Sequence, residues 1–349
     1  MLSRSSSLFF RTAVVYFLLA ACFSVTVRGG GTYSLVHSFD HVYAVLGTTR
    51  VTVPLILTLA GAIYIFGGRR GREIYAQAAL VLCTTGLFFA AFHLVKNSMP
   101  LAVSFFADPM LTGADRALHF GNMPWQLTHS LGEIVDHDLA SFYYVRAWLA
   151  TALGFPVLLV LFDRDDTRRR RYMILFGFVW IGLGNVLALA FMSAGPVYYE
   201  RLLGDPAFPG LADALTTSGV EASLTGRIQN YLWDAYILEQ SRAGSGISAF
   251  PSVHVGMAAL VGLYLAERNP ALGLVGGLHV VSTLFLSVYL GWHYAVDGYF
   301  SIAAVAIACA FLWRRDARAA DRCGGLPGRQ PRPYPDRAVA AMRSNVASD

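Results

Sequence analysis

Eight apolar runs of near-spanning length, with arginine clusters in alternate connections, constrain this chain more than any other feature. They cover residues 9–27, 51–66, 74–95, 142–162, 172–192, 253–265, 272–290 and 298–313, the second and sixth being the weakest. A helix needs ~20 predominantly apolar residues to cross hydrocarbon. Composition agrees: only 14% of residues are charged and 55% are hydrophobic, and mean hydropathy is +0.50, whereas a soluble domain carries about a quarter charged residues. The expected fold class is all-α, a polytopic membrane helix bundle of about eight transmembrane helices.

Arginine fixes the expected topology. It concentrates at 69–72, in the run 163–171 with its five arginines, at Arg268 and in the tail from Arg314. By the positive-inside rule these segments are cytoplasmic. Eight spans with both termini inside satisfy every assignment and place 28–50, 96–141, 194–251 and 291–297 outside, in what reads as a bacterial inner membrane. The net charge of +5 therefore reports topology, and no nucleic-acid partner is expected.

Of the four cysteines, Cys22, Cys83 and Cys309 fall within spans and Cys323 in the tail, so no extracytoplasmic pair exists for a disulfide. Leu19-Ala20-Ala21-Cys22 admits a lipoprotein signal reading, against which apolar sequence continues past the cysteine. No metal-ligand spacing and no nucleotide site is visible, and no cofactor is expected. The loop 96–141 mixes Pro100, Pro109 and Pro124 with Phe106 and Trp125, as expected for short interfacial helices that roof a site. The loop 194–251 is long for a membrane connection, and such loops are usually functional.

Two of nine histidines stand at the outer ends of spans: His254, after Pro251-Ser252-Val253, and His293, in His293-Tyr294-Ala295-Val296-Asp297. Pro251 near the start of a helix costs little, and the free amides there attract an anion. The spacing predicts His293 and Asp297 on one helical face, a turn apart, so that the carboxylate orients the imidazole. Phosphoryl transfer through histidine needs such a set. One imidazole nitrogen attacks phosphorus, the other donates to a carboxylate, and a second histidine protonates the departing oxygen. The bland alternative is two interfacial histidines bonded to backbone, with Asp297 as a helix cap.

Pro251-Ser252-Val253-His254 and the His293/Asp297 spacing resemble the second and third motifs of the type 2 phosphatidic acid phosphatase superfamily. The resemblance implies a six-helix phosphatase-like core over 74–313, preceded by a two-span extension (1–73) and followed by a disordered tail (314–349). It also implies that His293 is the nucleophile, Asp297 its orienting carboxylate and His254 the acid. The family's first motif, a Lys followed seven positions later by Arg-Pro, has no counterpart in the stretch 193–201, where only Arg201 offers a cation. The third motif's arginine is replaced by Ser287. Arg227, Arg242 and the chain's only lysine, Lys96, are the alternatives, with Ser252 and the backbone at Gly246 as further phosphate ligands.

His-Tyr-x-Val-Asp is similar to the branch containing inositol phosphorylceramide synthase and the sphingomyelin synthases. That likeness implies an inositolphosphotransferase-type enzyme that moves a phosphorylated headgroup from a glycerophospholipid to a lipid alcohol; a simple phosphatase would pass phosphate to water instead. The expected partner is a phospholipid or lipid phosphate within the membrane. A transporter using the same residues for protons or substrate is the rival class. It lacks the paired broken helices and midplane site that such proteins use. A noncatalytic scaffold would tolerate replacement of both histidines.

Overall fold

The computed structural model describes residues 3–28, 58, 61, 68–131, 134–239 and 245–322, and among them the regular elements are helices, with no strand. Helices α1 (Arg4–Arg28) and α2 (Gly68–Ala102) come first. The connection to α5 (His137–Phe162) holds α3 (Asp108–Leu118) and α4 (Pro124–His129). After α6 (Asp166–Ala190) the long loop forms α7 (Pro196–Leu203), α8 (Leu211–Thr217) and α9 (Leu224–Ile237). The chain then runs through α10 (Val253–Arg268), α11 (Pro270–Tyr289) and α12 (Ala295–Arg322).

Six of these, α1, α2, α5, α6, α11 and α12, are long and apolar enough to cross a membrane. The protein is thus a polytopic helical membrane bundle, the only economical way to satisfy backbone amides and carbonyls in hydrocarbon besides a closed barrel. The expected span 51–66 lies outside the described residues. The expected span 253–265 coincides with α10, which at 16 residues is shorter than those six and runs from the His254 end of the bundle to Arg268, which meets Asp163 at the other end. It packs against α5, α6, α11 and α12, and Val255, Met257, Ala258 and Leu260 are buried. A helix wrapped in protein does not need the length or uniform apolarity of one facing lipid. Its partner α11 comes close because both present glycine: a Cβ on Gly276 would sit 2.7 Å from Gly262 Cα.

One end of the bundle is tied by charge. Arg168 pairs with the buried Asp163 at 2.6 Å, Arg171 reaches both Glu267 (2.9 Å) and Asp316 (3.0 Å), and Arg170 also bonds Asp316 at 2.9 Å. The arginines read as topology signals therefore also join the ends of α5, α6, α10 and α12. Ser5, near the start of α1, donates to Asp166 at this same end, while Arg28, at the other end of α1, donates to Ser98 of α2 (3.1 Å). Removing one partner of a buried ion pair leaves the other charge uncompensated, at a cost of about 3–5 kcal/mol. Arg171→Met is expected to lower the thermal midpoint in detergent clearly; an unchanged midpoint would show the network to be incidental.

Candidate functional site

The opposite end gathers the starts of α5, α10 and α12 and the ends of α2 and α6. Helix α10 begins at Val253, capped by Ser252, whose Oγ accepts from the Val255 N–H at 3.3 Å. His254 is therefore the second residue of its helix, and the wholly buried Ser252 hydroxyl serves as a cap. The Ser252 N–H faces the Asp297 carbonyl at 3.4 Å, which ties the start of α10 to the first turn of α12.

His293 precedes α12 in a turn bonded from three sides. The Trp292 and His293 N–H groups both donate to the Ser287 carbonyl at 3.1 Å. Gln229 of α9 donates to the Leu290 carbonyl (2.8 Å), and the Val197 N–H of α7 donates to the Gly291 carbonyl (3.1 Å). His293 Nδ1 lies 3.1 Å from Asp297 Oδ2, which also accepts from the Tyr294 N–H at 3.2 Å. An ionised Asp297 can only accept, and a neutral His293 paired with it carries its proton on Nδ1 and leaves a lone pair on Nε2. Asp297 Oδ1 is buried and has no protein partner among the described residues.

Two aspartates from α3 hold this arrangement in place. Asp115 accepts from the Ala295 and Val296 N–H groups, both at 2.9 Å, capping α12 from a distant segment. Asp108 accepts from Tyr294 Oη (2.7 Å) and from the Ala194 and Gly195 amides. Burial pushes both carboxyls up, while the amides that bond them favour the charged form. Gly195 must be glycine, since its φ is +92° and a side chain would meet the Trp292 carbonyl. The segment after Gly246 lies over the same turn: the Ala249 N–H donates to the Ser193 carbonyl (2.8 Å) and the Phe250 N–H to Ser193 Oγ (2.9 Å).

His254 and His293 come together, their ring centroids 6.3 Å apart. Lys96, near the end of α2, is the basic group that the fold adds to them. Its ammonium lies 5.7 Å from the Phe92 ring centroid, and it has no carboxylate partner among the described residues. Gly246 presses on its backbone and stem, where a Cβ would stand 2.7 Å from the Lys96 carbonyl oxygen and 2.9 Å from Cγ. Burial first, and the Lys96 charge second, hold His293 down to about 3, against a smaller opposing effect of the Ala249 carbonyl. His293 is thus a neutral base at ordinary pH.

Arg201 and Arg227 lie elsewhere. Arg201 is exposed over the Trp233 ring, 5.6 Å from its centroid, and Arg227 donates to the Ala222 carbonyl at 2.9 Å; neither touches the histidines. Arg242 is outside the described residues. Gly246 meets the site through Lys96. Ser287 contributes its carbonyl to the His293 turn. Sequence reasoning missed Asp108, Asp115, Tyr144 and Trp148, and named Lys96 only as a substitute; a lone lysine at the end of an apolar run is itself a functional signal.

A helical membrane bundle with this cluster at one end is what a membrane-embedded phosphatase-type enzyme requires. Residues 109–313, more than half of the 349-residue chain, match the family model of the PAP2 superfamily, and the protein belongs to that superfamily. No curated protein and no solved structure matches it.

Asp108→Asn keeps the shape and loses charge-assisted bonds that connect the 194–195 turn to Tyr294. Because small misplacements of reacting groups are costly, turnover of lipid phosphate is expected to fall roughly tenfold or more. Circular dichroism in detergent would show unchanged helicity. Full activity would mean that the turn holds without Asp108.

Proposed function

We propose that the protein is a lipid phosphotransferase that works through a covalent phosphohistidine on His293. The observation that carries this reading is the 3.1 Å contact of His293 Nδ1 with buried Asp297, with a second imidazole close by. In the first half-reaction His293 Nε2 forms a bond to phosphorus, the bond from phosphorus to the lipid oxygen breaks, and His254 supplies that oxygen with a proton. Asp297 stabilises the ring as it becomes positive. In the second half-reaction an acceptor hydroxyl gives its proton to His254 and attacks phosphorus, and the N–P bond breaks.

Lys96 takes the part of phosphate clamp that Arg201, Arg227 and Arg242 were expected to fill. It lies outside the matched stretch 109–313. A desolvated ammonium beside the nucleophile meets phosphate oxygens with charge-assisted hydrogen bonds. Two features support transfer over hydrolysis: the His-Tyr-x-Val-Asp likeness to phosphosphingolipid synthases, and an exposure of only 8% at His293, which restricts competing water. The site lies at the end of the bundle away from Arg168–Arg171, which supports an extracytoplasmic site with both termini inside.

The test is headgroup exchange and phosphate release from a panel of phospholipids and lipid phosphates in detergent, with wild type and His293→Ala. A new phospholipid without free phosphate, lost in the variant, is expected. Free phosphate lost in the variant would make the protein a hydrolase with the same nucleophile. Equal traces from both proteins would refute the nucleophile assignment.

Lys96→Met is expected to raise KM on the order of ten- to a hundredfold, as for loss of a charge-assisted bond of about 1.5–3 kcal/mol. The pH profile gives the sign independently. His293 faces Lys96, whose charge disfavours its protonated form, with His254 beside it, and Asp297, itself near Asp108 and Asp115. Removing the lysine charge raises the His293 pKa, so the acid limb of kcat/KM moves to higher pH. An acid limb unmoved from wild type would place Lys96 outside the site.

A further inference from the structure

His254 is gripped by two aromatic rings from α5. Tyr144 stacks on its imidazole at 4.4 Å between centroids and 6° between planes, and Trp148 at 3.8 Å and 23°. At those separations two rings cannot lie side by side on one face of an imidazole, so His254 is intercalated between them. Trp148 is also fastened to the residue it covers, its Nε1–H donating to the His254 carbonyl at 3.0 Å. Both rings are buried, Tyr144 to 2% exposure and Trp148 to 6%. They are four residues apart, spanning the point where α5 passes from a wide π-type turn over Phe142–Ala147 into regular α-helix. Turns of that kind are rare and concentrate at functional sites.

Such a grip has a chemical consequence. Burial first, then the neighbouring His293 and Lys96, oppose a proton on His254, and no carboxylate bonds its ring among the described residues. The faces of Tyr and Trp carry negative potential and attract a cation stacked on them. We propose that Tyr144 and Trp148 are positioning residues for the proton donor: their faces hold the His254 imidazolium and aim its ring edge at the leaving oxygen. The inference rests on the reading of His254 as the acid, and names what lets it serve as one. The clamp leaves both ring nitrogens of His254 without a protein partner among the described residues, open to substrate.

The experiment follows the first half-reaction alone, leaving-group release in a single turnover, because His254 is also the base of the second, and it compares two substrates that differ in their need for a proton. A lipid phosphate leaves as an alkoxide and needs the acid; p-nitrophenyl phosphate leaves as a stabilised phenolate and does not. Trp148→Leu and Tyr144→Leu remove the faces, whereas Trp148→Phe and Tyr144→Phe keep them. General acids contribute about a hundredfold or more. The single-turnover rate on lipid phosphate is therefore expected to fall at least roughly tenfold in the leucine variants, with p-nitrophenolate release within about twofold of wild type and both phenylalanine variants largely active. Retained turnover of the activated substrate also reports that the fold is intact. Equal losses on both substrates would assign the rings a purely structural role and overturn the inference, as would leucine variants as active as wild type. His254→Ala separates the two levels. If it falls equally on both substrates, the reading of His254 as acid fails; if it alone shows the contrast, only the clamp fails.

Discussion

The start of α12 is buried, and Tyr294, which stands before its first residue, gives its hydroxyl to Asp108 and not to the amides of Ala295 and Val296. Free amides there, away from water, are costly unless something accepts from them. Asp115 does so from another helix, and much of the site depends on it. With α12 anchored, Asp297 is held where it meets His293, and Tyr294 reaches Asp108, which in turn holds the turn after α6. A helix end that would otherwise fray becomes the fixed point against which His293 is positioned.

The two ends of the bundle solve opposite problems. At the arginine end, Asp163, Glu267 and Asp316 each meet a guanidinium, and the result is cohesion. At the other end less is satisfied: among the described residues Lys96 meets no carboxylate and Asp297 keeps one oxygen unbonded. Such groups persist because the surrounding hydrogen bonds over-determine their positions, and their unmet interactions are available to a substrate.

Much of this was legible in the sequence for physical reasons. Apolar length reports spans because lipid imposes it, and the His293 to Asp297 spacing reports a contact because a turn of helix brings residues four apart together. The contact held even though α12 starts only at Ala295, since Tyr294 and Asp297 form the first turn. Span 253–265 looked weak because α10 faces protein. What stayed hidden came from distant parts of the chain. Asp115 lies 180 positions from the amide it caps, and Tyr144 and Trp148 in an apolar run look like ordinary lipid-facing or core residues. The arginines of the 194–251 loop were favoured because they are near in sequence to the expected motif, whereas Lys96 is brought in by the approach of α2 to the Gly246 segment.

That approach makes the site a seam. The histidines and Asp297 belong to the stretch shared with the superfamily, while the ammonium beside them rides on a helix that precedes it. The shared stretch would therefore lose its cation if grafted alone into another scaffold. A chain with a different leading helix would have to supply that charge from elsewhere, so a segment outside the shared stretch can retune the surroundings of the same pair of histidines.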